Sequence, residues 1–499
     1  VRRRSFLAAA SMVGAAAVLR PVPAAAQDTE QHDTVVVGSG YGGAVAALRL
    51  AEAGHTALVL ERGRRWPITP DGDTFATARA LDDRAFWVPS PGAGVLSTGV
   101  LQAFPAEGIV GLLGAGVGGG SLVNNAVMAA PDAEGFARSF GTALDYGEMA
   151  EIWYPRARAL LGVSPIPDDV LASPAYANAR EFADLAERAG FTPHRLDLAV
   201  DWDIVRAEIA GTAPASTILG DSMWGIGSGA KRSVDRTVLA RAEATGLVQV
   251  RPLSRVDRIV RTDSGYLLEY TTLNVAGAAV MTRTVQARRV ILAAGSIGST
   301  ALLVRAQADG GLPDLNSEVG RRWGTGGDHL VALTGWPPPG AAQGGPAHLG
   351  FTDDTGDLPM TMLSFPFVGQ LAGGLLAVSD PPAAGTVRAN GAGGVTVSWP
   401  QTATLARYST AVHDTAARLA AARIGTGVAA SGAPSTSHSL GGAVIGSATN
   451  DFGQVHGCPD LFVVDSALLP GSCGSMPPAL TVTAVADRCL HSIIAGINP

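Results

Sequence analysis

An α/β fold is what this sequence predicts, with a parallel sheet assembled from separated stretches of chain and a second, mixed sheet covered by helices. Three observations carry that expectation. The apolar run Val35-Val36-Val37 breaks at Gly38-Ser39-Gly40-Tyr41-Gly42-Gly43 and resumes over Ala44 to Ala53 in alanine and leucine, which reads as strand, tight turn and helix. Two further glycine stations follow in order, Gly114-Ala115-Gly116-Val117-Gly118-Gly119-Gly120-Ser121 and Ala293-Ala294-Gly295-Ser296-Ile297-Gly298. The chain has 499 residues, 47% hydrophobic and 16% charged, which is globular and long enough for two cores.

The first station fits a Rossmann-like nucleotide-binding unit. Gly38 permits the turn, Gly40 lets the backbone approach a pyrophosphate, and Gly43 lets the helix pack on the strand, with Tyr41 and Gly42 on the same loop. His55 to Leu60 supplies a second strand and delivers Glu61, with Arg62 beside it, at the place where an acid accepts hydrogen bonds from an adenosine ribose. On its own this unit suits NAD or FAD equally. The second station separates them, because a simple NAD dehydrogenase has no use for Gly118-Gly119-Gly120-Ser121-Leu122-Val123-Asn124-Asn125 so much further along the chain.

With that segment in view the chain resembles the glucose-methanol-choline oxidoreductases, and within them the flavin-containing cholesterol oxidases of actinobacterial type. The resemblance implies a glycine loop that runs along a flavin, so Gly118, Gly119, Gly120, Ser121, Asn124 and Asn125 are carried over as FAD contacts. It extends to Val256, in the strand-like Ser254 to Val260, whose backbone would meet adenine. Ala294 and Gly295 end a buried strand over Val290 to Gly295, and Ser299-Thr300 are expected to open the following helix as polar caps. Asn316 to Gly320 closes this block, and Asp465, after Leu461 to Val464, would reach the cofactor. A long final helix from Thr481 returns to the same domain.

The expected FAD-binding domain therefore comprises 32–130, 227–325 and 454–499, and the substrate-binding domain 131–226 and 326–453. Within the latter, a helix is expected near Ala175 to Ala189 and short apolar strands at Pro359 to Phe365 and Gly374 to Val378. Trp336 to Pro346 and Gly391 to Gly394 read as surface loops. Ala85 to Phe104, with Phe86 and Trp87, suits either a pocket wall or ordinary packing.

A flavin carries the redox step itself, leaving the protein to place the substrate and handle the hydroxyl proton. By resemblance His438, in Ser437-His438-Ser439-Leu440-Gly441-Gly442, is the active-site histidine. Two departures stand out. Where the cholesterol oxidases carry an asparagine before a proline, this chain reads Gly474-Ser475-Met476-Pro477-Pro478, so Ser475 is the substitute candidate. Where they carry a glutamate that moves a double bond, no acid occurs from Leu358 through Ser379, and Gln370 lies nearest. An amide cannot abstract a proton at neutral pH, so a sterol-type product is expected to keep its double bond in place. The absence of a histidine beside the second station argues for non-covalent FAD.

The resemblance thus implies a steroid-metabolism type of reaction: oxidation of an apolar secondary alcohol, with O2 accepting the electrons and giving H2O2. Two alternatives stay open. One is a flavoenzyme acting on a non-steroid polycyclic or macrocyclic natural product; the other is a flavin-loaded ligand-binding protein without alcohol oxidase activity.

Composition bounds the partners. Arg3-Arg4-Ser5-Phe6-Leu7 opens an alanine-rich stretch ending Ala24-Ala25-Ala26, which reads as a twin-arginine export signal over 1–26; an ordinary N-terminal helix is the alternative. Its removal takes away Arg2, Arg3, Arg4 and Arg20, making the formal charge of −7 more negative, so no nucleic-acid partner is expected. The mature chain is expected to be secreted and monomeric, with at most transient membrane-surface contact and no later apolar run of spanning length. Three cysteines without C-x-x-C spacing signal no disulfide framework, and scattered histidines signal no metal.

Overall fold

The computed structural model describes residues 29–78, 80–90, 93–336, 342–366, 373–391, 393–429 and 434–497. The expected export signal and Gln370 lie outside the described residues.

Seven strands form the first sheet. Val248–Arg251, Ala57–Leu60, Glu30–Val37 and Ala279–Leu292 run parallel, followed by the antiparallel Gly265–Leu273 and Ser254–Thr262. The long Ala279–Leu292 strand changes partner along its length: its first half pairs with Gly265–Leu273 and its last residues pair in parallel with Leu461–Val463. This is how a C-terminal segment joins a sheet begun at the N-terminus. Val35 sits opposite Leu58 on one side and Val290 on the other, and all three are buried. A β-branched run covered on both faces is what a central parallel strand requires.

The second sheet has six antiparallel strands in the order Gly427–Val428, His329–Thr334, Gly373–Ser379, Met360–Pro366, Leu349–Asp353 and His194–Arg195. Every residue of Met360–Pro366 and Gly373–Ser379 is buried, so these two strands are covered on both faces. Helices Ala177–Arg188 and Ala403–Ala421 pack on this side of the molecule. A small sheet joins the two halves: Ile109–Gly114 pairs with Leu101–Ala106 and, in parallel, with Ser435–Thr436, which leads directly into His438.

Several boundaries move for physical reasons. The first helix is Tyr41–Glu52, three residues earlier than expected, because Gly42 and Gly43 lie inside its first turn, where a Cβ would meet Val464 O and Gly38 O. The helix after the third station is Gly295–Ala308, so Ser299 and Thr300 are not its caps. Ser299 Oγ instead accepts from Ala294 N–H at 3.0 Å and bonds to the Asp465 carboxylate. Ala85 to Phe104 forms three short strands, with Trp87 packed in a small cluster beside Val95, Ala115 and Leu273.

One expectation is corrected. Ala479–Ile497 is apolar and long enough to cross a membrane, although most of it is buried in the protein. It packs against the Tyr41–Glu52 helix, and Asp487 on it accepts from Arg49 at 2.6 Å and Arg156 at 2.9 Å. A buried acid clasped by two guanidiniums marks a core helix.

Candidate active site

One cavity of about 660 Å³ runs between the two sheets and along all three glycine stations. At one end lie Glu61, Arg62, Ser254, Arg255 and Val256; in the middle are Ser39, Gly40, Tyr41, Gly42, Gly119 and Gly120; Ala294, Gly295 and Asp465 follow, and His438 stands at the far end. The first turn of the Tyr41–Glu52 helix opens on its wall with no acid in that turn and no side chain capping it. Uncapped N–H groups at the positive end of a helix are a ready site for a pyrophosphate. Gly38 takes φ +98°, and a Cβ there would stand 2.3 Å from Ala293 O, so only glycine lets the chain turn here.

The residues present fit a flavin dinucleotide. A Cβ on Gly120 would meet nothing within 4 Å, because that face of the loop looks into the cavity. Glu61 is buried at the end expected to take the adenosine; its oxygens accept from Gly63 N–H at 2.8 Å, Ser39 N–H at 3.1 Å and Ser39 Oγ at 2.7 Å. Burial raises its pKa against the pull of these donors and of Arg62. Two carboxylate oxygens have lone pairs beyond these three bonds, so the group can still accept from a ribose. Asp465 accepts from Ala467 N–H at 2.8 Å and Gly295 N–H at 2.9 Å as well as from Ser299; burial nevertheless pushes its pKa up to about 6.

The histidine end holds a partner that the sequence did not signal. His438 Nδ1 lies 2.6 Å from Asp328 Oδ1. Asp328 is buried and also accepts from Ser437 N–H at 2.8 Å, Ser437 Oγ at 3.0 Å and His438 N–H at 3.2 Å. Burial alone would raise this carboxyl, but His438 and the Ser437 donors outweigh it and hold the pKa below the usual range. A carboxylate on Nδ1 fixes the proton there and leaves Nε2 as an acceptor on the cavity side. Gly326, at φ +61°, makes the approach possible: a Cβ on it would lie 2.6 Å from His438 Cβ. Asp328 is 110 residues from His438 in sequence, so no local pattern links them.

The second station divides into wall and support. Gly119, Gly120, Asn124 and Asn125 line the cavity. Asn124 donates to Tyr41 Oη at 2.7 Å, while Asn125 Oδ1 accepts from Ser222 Oγ. Gly118 and Ser121 are not on the wall: Gly118 N–H donates to Ser39 Oγ at 3.1 Å, and Ser121 Oγ donates to Gly118 O and accepts from Val234 N–H. They brace the loop from behind. Gly43 is likewise behind the wall, packed on Gly38.

Ser475 is also placed away from the cavity, correcting its candidacy as a catalytic group. Its hydroxyl is bound to Pro359 O at 3.0 Å and Asp380 Oδ2 at 2.9 Å, and its N–H to Asp380 Oδ1 at 2.7 Å. This grip holds the residue at φ +58°, a conformation costing about 1–2 kcal/mol for a non-glycine residue. Pro477 and Pro478 take the wall position instead, and neither carries a side-chain donor. The cavity wall also carries the apolar side chains of Met223, Leu330, Leu363, Phe365 and Leu376.

Comparison with known proteins agrees with this geometry. Residues 388–486 match the family described as GMC oxidoreductase, and 36–67 match an NAD(P)-binding Rossmann-like domain. A cholesterol oxidase of Mycobacterium tuberculosis is 30% identical over 307 residues, covering 58% of this chain and 50% of the relative. The C-terminal region of the chain is thus similar to the GMC oxidoreductases. A cholesterol oxidase of Acinetobacter baumannii is 26% identical over 324 residues, 60% of this chain and 55% of that one. The chain thus spans about half the length of the curated cholesterol oxidases it matches. Two solved structures share its fold: pyridoxine 4-oxidase from Mesorbium loti, with TM-score 0.64 and 17% identity, covers 92% of this chain and 99% of its own. A fungal aryl-alcohol oxidase, with TM-score 0.64 and 16% identity, covers 95% and 100%. GMC oxidoreductases are FAD flavoproteins, which matches the cradle described above.

Proposed function

We propose that this protein is an FAD-dependent oxidase of an apolar secondary alcohol of 3β-hydroxysteroid type, converting it to a ketone with O2 giving H2O2. The observation that carries the reading is the Asp328–His438 pair at the end of the cofactor cavity, facing an apolar wall. When bound, FAD supplies the hydride acceptor and returns the electrons to O2. Everything else falls to the chain. His438 Nε2 accepts the hydrogen bond, and then the proton, of the substrate hydroxyl. Asp328 holds the imidazole in the tautomer that can accept and stabilises the imidazolium that forms. Leu330, Leu363, Phe365 and Leu376 exclude water and hold a rigid apolar body with its hydroxyl toward His438.

The reaction stops at the ketone. The strands Met360–Pro366 and Gly373–Ser379 contribute no carboxylate to the substrate wall, and Asp380, the first acid after them, is tied to Ser475. FAD is held without a covalent link: His438 is the one histidine on the described wall, its Nδ1 is committed to Asp328, and no cysteine lies there. The substitution of prolines and Met476 for a polar partner favours, as a second reading, a polycyclic alcohol other than a sterol. The Arg3-Arg4 leader motif supports export by the twin-arginine route, with the enzyme acting outside the cell as a monomer.

His438→Ala tests the role of the histidine. The variant should keep its yellow colour and lose most of its rate of anaerobic reduction by substrate; unchanged reduction would remove His438 from the mechanism.

A further inference from the structure

Lys231 is the only lysine in the sequence, and it is buried. Its Nζ donates to three main-chain carbonyls: Leu122 O at 2.8 Å, Asn124 O at 2.6 Å and Ser222 O at 3.1 Å. Two of these belong to the loop that presents Gly120, Val123, Asn124 and Asn125 to the cavity, yet Lys231 itself is not on the wall. We propose that Lys231 is the positioning residue that clamps the Leu122–Asn125 loop in the conformation that holds FAD. This rests on the reading of the cavity as an FAD site.

Three independent features converge on that role. The first is the donor count: three acceptors around one nitrogen use all three protons of an ammonium, so the group is built to be charged here. Burial and the nearby Arg236 push its pKa well below the ordinary lysine range, with Asp235 opposing them, so the carbonyl cage is what the charge depends on.

The second feature is strain. Ala126, directly after Asn125, sits at φ +53°, which an alanine adopts only when its surroundings impose it. The constraint comes from both sides: Lys231 pulls on Asn124 O, and Ala199 N–H donates to Ala126 O at 2.9 Å.

The third is the anchorage of the lysine. Its backbone bridges to Val200, Arg232 N–H donates to Ala199 O at 2.9 Å, and Asp201 N–H donates to Ala230 O at 2.7 Å. Arg236 donates to Lys231 O and Gly229 O. A flexible side chain on a rigid base can act as a clamp. Ser222 extends it: its carbonyl accepts from Nζ while its hydroxyl donates to Asn125 Oδ1, which orients that amide so that its nitrogen is left for the cavity.

The test compares wild-type and Lys231→Met holoenzymes by FAD release, read as flavin fluorescence on dilution, by visible circular dichroism of the bound flavin, and by global unfolding. Lys231→Met keeps the side-chain length and removes the donors. At a temperature well below its own unfolding midpoint it should release FAD at least about tenfold faster, with an altered flavin dichroism. Release and dichroism equal to wild type would overturn the clamp.

Should the variant fail to fold, the wild type decides, because lysine labelled with 15N at Nζ gives one signal. In the holoenzyme that signal should be protected from rapid proton exchange and should shift when the flavin is reduced with dithionite. Exchange like that of a free lysine, or no shift on reduction, would overturn the proposal. A wild-type protein that binds no FAD would instead overturn the cofactor reading beneath it.

Discussion

Replacing Asp328 by asparagine should disable the reaction while leaving the fold and cofactor in place, and the structure says why. The carboxylate faces two sets of donors: His438 Nδ1–H on Oδ1, and Thr436 Oγ1–H, Ser437 N–H, Ser437 Oγ–H and His438 N–H on Oδ2. An asparagine has one acceptor oxygen, which the donors on the second side would claim. Its NH2 then points at Nδ1 and donates to it, so the imidazole must move its proton to Nε2. Most of these donors keep a partner, and the stability change should stay within about 1–3 kcal/mol. The catalytic cost is far larger, because Nε2–H cannot accept the hydroxyl proton. General base catalysis contributes about 10²–10⁴-fold, or roughly 3–5 kcal/mol, and that is the expected loss in the rate of flavin reduction. Asp328 is not on the cavity wall, so FAD content should be unchanged. The assay is anaerobic rapid mixing with a 3β-hydroxysteroid, following flavin absorbance. A variant that retains FAD and is reduced within a few-fold of the wild-type rate would refute the tautomer argument.

Other predictions follow from the same geometry. Asp465 has a folded pKa near 6 against an ordinary 3.8, so the folded apoprotein binds more protons than the unfolded chain between these values. Its contribution to stability is therefore fully present below about pH 4 and lost as pH rises through 6, up to about 3 kcal/mol. Denaturant titrations of wild type and Asp465→Asn should differ by that slope, and parallel pH profiles would contradict it. Gly38→Ala combines a left-handed backbone with a Cβ 2.3 Å from Ala293 O and should cost about 3 kcal/mol or more and empty the protein of flavin. A yellow variant with an unchanged melting point would disprove that. A β,γ-unsaturated 3β-alcohol should give the unconjugated ketone as the enzymatic product; early appearance of the conjugated enone would place a base on the substrate wall.

Much of the nucleotide half was legible because its determinants are local. Val35-Val36-Val37 and the glycines after it state strand, turn and helix within one short stretch, and Glu61 follows at the length of one helix and strand. The third station was legible for its strand but misread at its helix start, since the Ser299 hydroxyl serves Asp465 rather than the helix end. Ser475 failed as a candidate for a similar reason: its composition is that of a donor, but only the fold shows Asp380 and Pro359 claiming it. Asp328 could not be read at all, because its meaning depends on a histidine brought to it through a parallel pairing of Ser435–Thr436 with Ile109–Gly114. Lys231 did leave a trace, as the one lysine in an arginine-rich chain, and that choice of a compact ammonium over a guanidinium suits a cage of three carbonyls.

The most direct test of the account is to mix the purified yellow protein anaerobically with a 3β-hydroxysteroid, follow the flavin absorbance, and then admit air and assay peroxide. Bleaching on mixing, followed by return of colour with one peroxide per ketone formed, is the predicted result. A flavin spectrum that shifts on binding but never bleaches would contradict the claim that His438 and Asp328 serve the oxidation of this class of alcohol.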